Sequence, residues 1–232
     1  MIKIIKNDLI NFYKYRILYM VIIVSIIFAV ATGIFPTIDK LLFIYMSLFI
    51  LPVITHSILL FIEKEDETLI IKEENNLTLL KLVCSKMASS LILQLIPLVL
   101  YLIVIGFVLQ ADISYILFIL VYLLSIFIHI LIGQSITILA NNHVKMMLMY
   151  IGYIIIFSLL PFLALMNVIT VNLSYFFMYS PALLTHILLT NITLGTTYFS
   201  NLQVILSVIL LVLMSIALII FIIKPFYKKI SE

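Results

Sequence analysis

Six stretches of about twenty apolar residues follow one another along this chain, none carrying an Asp, Glu, Lys or Arg between its ends: Ile17 to Thr37, Leu41 to Ile62, Met87 to Leu109, Ile113 to Leu139, Met146 to Met166 and Leu202 to Ile223. At about 1.5 Å rise per residue, each can cross a hydrocarbon core of about 30 Å. Lipid offers the backbone no hydrogen-bond partner, so a spanning segment must be a helix or a strand of a closed barrel. Long runs without alternation of polar and apolar residues select the helix. Composition agrees, since 66% of the 232 residues are hydrophobic, 10% are charged and the mean hydropathy is +1.36. Soluble domains carry about a quarter charged residues. The expected fold is an all-α membrane protein with six transmembrane helices, forming a single transmembrane domain over residues 1–232.

The charge that remains is concentrated. Ten of the chain's Asp, Glu, Lys and Arg residues lie between Glu63 and Lys86, after the second span. Six spans place both termini on one side, and twelve of the thirteen basic residues then share that side, Lys40 being the exception. The positive-inside rule assigns that side to the cytoplasm. The expected location is therefore a cell membrane crossed several times, with both termini and the 63–86 loop cytoplasmic. The bias toward Ile, Lys and Asn, with no Trp, points to an AT-rich bacterial source. The net charge of +3 follows from topology and does not imply nucleic-acid binding.

Before the first span, Ile2, Ile5, Leu9 and Phe12 recur every three or four residues, opposite Lys3, Asn7, Asn11 and Lys14. The pattern predicts an interfacial amphipathic helix over residues 1–16, the alternative being the first turns of a long tilted span. Residues 167–201 lack any charged side chain, yet their apolar pieces, such as Leu173 to Tyr179 and Ala182 to Leu189, are too short to span. Re-entrant or interfacial helices are expected there, before the sixth span.

Several chemistries are excluded by what is missing. The five glycines stand singly, so no P-loop exists to cradle a nucleotide phosphate. The four histidines are scattered without His-x-x-x-His spacing, and no metal site is expected. No catalytic residues are expected, and the chain is read as a non-enzyme. Spans without internal carboxylates argue against an ion-coupled transporter. Gln94, His129 and Gln134 are the deepest polar residues and are candidates for lining a pathway. The spacing of His129, Gly133 and Thr137 on one helical face equally fits helix packing.

The 63–86 loop carries Leu69, Ile70 and Ile71 inside a rim of acids, a greasy tip that a short helix cannot bury by itself. Four lysines against six acids leave it negative, which favours a protein groove over an anionic leaflet. In this loop Glu63, Lys64, Glu65, Thr68, Leu69, Thr78 and Lys86 resemble, in order, the pattern of the permease subunits of ABC transporters of the type-2 export class. Glu67 stands where that family usually has Gly, and Asn75-Asn76 where Pro is common. The resemblance implies a cytoplasmic coupling helix between spans two and three, docking into a separate ATP-binding subunit through Glu63, Glu65, Asp66, Thr68, Leu69, Ile70, Ile71 and Lys86. It further implies a second permease chain, a translocation path for an amphipathic or hydrophobic substrate, and ATP with Mg bound by the partner rather than by this chain. The rival expectation is a non-transport membrane interaction or immunity protein that recruits a soluble factor through the same loop.

Overall fold

A computed structural model describes residues 1–34, 42–65, 79–108, 113–165, 170, 179–194 and 200–226. Among the described residues every regular element is helical: α1 (Ile2–Lys14), α2 (Ile17–Ile34), α3 (Leu42–Glu65), α4 (Leu79–Ile103), α5 (Tyr115–Leu139), α6 (His143–Tyr153), α7 (Leu160–Leu165), α8 (Pro181–Leu194) and α9 (Asn201–Leu218). Three π-helical turns continue these helices: π1 (Val104–Val108) after α4, π2 (Ile154–Leu159) between α6 and α7, and π3 (Ile219–Ile223) after α9.

Five helices are long and apolar enough to cross a membrane: Ile17–Ile34, Phe43–Glu65, Val83–Phe107, Tyr115–Leu139 and Asn201–Phe226. The expected span Met146 to Met166 is not among them. Residues 143–165 are helical throughout, but as α6, π2 and α7, and their apolar part, His143–Leu159, falls short of the spanning length. Asn142 caps α6 by accepting from the Lys145 amide at 2.8 Å, so its first turn, ahead of the expected span, holds His143 and Lys145. The loop expected over 63–86 is also shorter, because α3 runs to Glu65 and α4 begins at Leu79. Residues 66–78, and with them Asp66, Thr68, Leu69, Ile70 and Ile71, lie outside the described residues.

The N-terminal helix is separate from the first span. Arg16 adopts a left-handed φ of 60° between α1 and α2, a conformation that ends a right-handed helix. Its buried face differs from the expected one. Ile4, Asp8 and Phe12 point inward at four-residue spacing, while Ile2 is exposed.

α3 forms the interior of the bundle, with 72% of its most apolar window buried against 22% for α2 and 17% for the last span. Its main neighbour is α5, and the two cross at Gly133. The Ser57 hydroxyl donates to the Gly133 carbonyl at 3.0 Å, and the Thr137 hydroxyl donates to the Ser57 carbonyl at 3.2 Å. Small residues let helix backbones approach closely enough for such bonds. α8 is too short to span at 14 residues, and its residues 181–190 are all buried against α3, α5, π2 and α9. Ser180 fixes its start, donating to the Phe157 carbonyl at 2.5 Å and accepting from the Leu183 amide at 3.1 Å.

A Cβ at Gly133 would lie 2.6 Å from the Val53 carbonyl oxygen and 3.1 Å from Val53 Cα, both backbone atoms, whereas one at Gly152 meets nothing within 4 Å. Gly133→Ala is expected to cost about 1–3 kcal/mol by forcing α3 and α5 apart. Gly152→Ala should leave stability unchanged or slightly raised. Unfolding midpoints of the two detergent-purified variants check the pair.

Candidate functional site: a buried charge cluster at the stems of the polar loop

The basic end of the bundle is where α1, the end of α3, the start of α4, the α5–α6 junction and the end of π3 meet. Every described Lys and Arg belongs to α1, to the turn after it, or to these helix ends. The deepest of them is Lys86, which is fully buried. Its Nζ lies 2.5 Å from Asp8 Oδ1 and 2.5 Å from the Glu63 carboxylate. The Ser89 hydroxyl donates to the other Asp8 oxygen at 3.0 Å. Asp8 comes from α1, Glu63 from α3, and Lys86 and Ser89 from α4, so four side chains from three helices close one cluster. Asp8 is fully buried and Glu63 is 2% exposed.

Such a group is costly to assemble. Moving a single ion into a low-dielectric interior costs several kcal/mol even after relaxation, and the charges recover this only when well paired and hydrogen-bonded. Two carboxylates about one ammonium satisfy that condition, and the Ser89 hydroxyl adds a further donor. Fully ionised, the cluster carries one net negative charge.

Toward the membrane interior the α3–α4 seam continues in neutral polar pairs. His56 Nδ1 lies 2.6 Å from the Ser90 hydroxyl, and Gln94 Nε2 donates to the Thr55 hydroxyl at 3.1 Å. On α4 the three partners, Lys86, Ser90 and Gln94, follow at intervals of four and share one face. Polar contacts of this kind hold helices together where lipid removes the hydrophobic drive for association.

Several expected site residues fall elsewhere. Glu63 and Lys86, expected on the surface that meets a partner, are instead buried against each other. Glu65 is exposed at the last residue of α3. Gln94, His129 and Gln134 are all buried in helix interiors. A carbonyl can only accept, so His129 Nδ1 carries a proton and donates to the Ser125 carbonyl at 2.6 Å; its Nε2 has no hydrogen-bond partner among the described residues. None of the three lines the cavity between α5, π2 and α9. No group of His, Cys, Asp and Glu that could hold a metal ion occurs among the described residues. Cys84 is a free, exposed thiol on α4.

Asp8 is the residue that sequence reasoning missed. It is the only acid before Asp39, and it sits between Ile4 and Phe12 on the face that becomes buried.

The architecture defines a helical membrane protein with a buried ionic cluster at its basic end. No protein-family model, curated protein or solved structure matches the chain.

Lys86→Met removes the buried ammonium that Asp8 and Glu63 share and is expected to cost about 3–5 kcal/mol. The triple variant Asp8→Asn, Glu63→Gln, Lys86→Met removes all three charges and should recover most of that loss. Thermal unfolding of both variants in detergent provides the test; equal destabilisation by the two would contradict the pairing.

Proposed function

We propose that the chain is the transmembrane subunit of an ATP-driven exporter, with its basic end in the cytoplasm and the polar loop acting as the coupling element for a separate ATP-binding subunit. The observation that carries this reading is the charge cluster. Glu63 and Lys86 stand at the two stems of the loop, 23 residues apart, and their ion pair clamps both stems to Asp8 of the N-terminal helix. A loop anchored in this way receives a push without folding back on itself. A merely solvated surface loop needs no buried ions at its base.

Three further features support the reading. In sequence, Leu69, Ile70 and Ile71 lie between Asp66-Glu67 and Glu73-Glu74, the composition of a knob that would enter a groove. The chain carries no P-loop and would draw on a partner for energy. In this reading the helical run 143–165 is the sixth crossing and buried α8 the half-spanning helix before the last span. The resemblance of the loop to type-2 export permeases is consistent with these roles. The substrate class is an amphipathic or hydrophobic molecule, and the working unit is two permease chains with two ATPase subunits.

The test is pull-down of the tagged full chain from its native membranes, followed by photolabelling with azido-ATP. A labelled P-loop protein should co-elute. Leu69→Asp, or reversal of charge at Glu65 and Asp66, should reduce its recovery at least about tenfold, since loss of one interface hot spot costs about 2 kcal/mol. Membrane insertion of the variants should be unaltered. Absence of a labelled partner, or undiminished recovery with Leu69→Asp, overturns the reading.

A further inference from the structure

A cavity of about 570 Å³ opens between α5, π2 and the continuous α9–π3 helix. Ile128 and Ile132 wall it from α5, Tyr153 and Phe157 from α6 and π2, and Ala217 and Phe221 from α9 and π3. The volume falls within the range of small-molecule sites. Among the described residues no charged side chain lines it, and Tyr153 and Tyr179 are the lining residues that carry a polar side-chain group. Both outer helices depart from α geometry along it, at Ile154–Leu159 and Ile219–Ile223. Single π turns of this sort recur at functional sites. The surface around the opening is hydrocarbon, with Leu213, Ile216 and Ile220 exposed. In a bilayer this opening faces lipid.

One end of the cavity approaches the basic end of the bundle. Leu139 and Ile222 line it there, and the chain continues from each into the basic end of the bundle. Lys64 Nζ donates to the carbonyl of Ala140, the residue after Leu139, at 2.7 Å and to that of Thr137 at 3.3 Å. It also lies 5.9 Å from the ring centre of Phe226, just beyond Ile222. Lys145 lies in the first turn of α6, five residues after Ala140, and is exposed. Lys224 is exposed two residues after Ile222. Of the carboxylates flanking Lys64, Glu63 is turned to Lys86 and Glu65 is exposed. Lys64, Lys145 and Lys224 therefore belong to the helix ends that adjoin this end of the slot.

We propose that this slot is a binding site for an anionic phospholipid of the leaflet at the basic end. One acyl chain lies along Ile128, Ile132 and Phe221, and the phosphate meets Lys64, Lys145 and Lys224. An ammonium has three donors, and Lys64 spends two on the end of α5, which leaves one for a phosphate oxygen. Basic pockets between membrane helices take anionic headgroups by this charge complementarity. A second copy of the chain fits the site less well, because a symmetric contact here would oppose lysine to lysine. The proposal is independent of the transport reading.

The chain contains no Trp, so Phe221→Trp provides a single fluorescent reporter in the slot. The full chain is reconstituted in phosphatidylcholine bilayers holding increasing fractions of brominated phosphatidylglycerol or brominated phosphatidylcholine. Half-maximal quenching is expected at a mole fraction at least roughly fivefold lower for the anionic lipid, each lysine near the surface contributing about that factor. The exposed pair Lys145→Ala, Lys224→Ala should abolish most of the preference. Lys3→Ala, Lys6→Ala on α1 should leave it intact, as should millimolar inorganic phosphate. Equal quenching by the two lipids overturns the proposal, as does a preference that survives the Lys145 and Lys224 changes. An equal loss in the α1 variant would show general surface attraction, and loss to phosphate would show a site for a free anion; either result also overturns it.

Discussion

An ammonium buried in a chain that is otherwise hydrocarbon has few places to be. Lys86 can remain charged only where carboxylates reach it, and among the described residues two that do come from α1 and α3. The cost of leaving any one of these ions alone is several kcal/mol, comparable with the whole stability of many domains. The cluster therefore acts as a positional constraint rather than as a source of net stability. It fixes where α1 lies against α3 and α4, and it holds the polar loop's two stems together. The neutral seam of His56 with Ser90 and Thr55 with Gln94 extends that register toward the membrane interior.

The other side of α3 is held by different means. At the Gly133 crossing the absence of a side chain lets Ser57 reach a backbone carbonyl, an exchange that lipid-facing helices cannot make. At the end of the same interface Lys64 caps α5 through the carbonyls of Thr137 and Ala140, placing a cation at the negative end of that helix's dipole. Thus α3 joins a charged contact with α1 and α4 to a close backbone contact with α5. This accounts for its being the most buried of the spans.

How much of this was legible in the sequence depended on whether the signal was local. The long apolar runs gave four of the spans to within a few residues at most of their ends, and a separate N-terminal helix followed from periodicity alone. Gly133 and Thr137 also stood out, because small and hydroxyl residues on one face have a local spacing. The buried face of α1 was placed one residue away, since Asp8 breaks an apolar stripe in composition while continuing it in burial. The partnership of Asp8 with Lys86 spans 78 positions and left no local trace. Glu63 and Lys86 were read by their charge as surface residues. Charged side chains are almost never fully buried unless paired, and the pairing is a tertiary fact. The apolar run from Met146 gave no sign that its helix passes through a π-helical turn at Ile154–Leu159.

Glu63 and Lys64 are neighbours in sequence and point about 100° apart on the helix, as 3.6 residues per turn require. The first faces Lys86 and α1, while the second faces the end of α5. A displacement applied to the polar loop therefore cannot move α3 by itself. Through Glu63 it carries α4 and the N-terminal helix, and through Lys64 it carries α5, whose other flank walls the apolar cavity. The loop's stems and that cavity are thus joined by one helix end bearing two opposite charges. In a permease this is the link needed between a push at the cytoplasmic face and a rearrangement among the spans. The same Lys64 that caps α5 bonds to the residue after Leu139 of the cavity wall, so an anionic headgroup bound there would, in the proposed permease, act on the junction through which a push would pass.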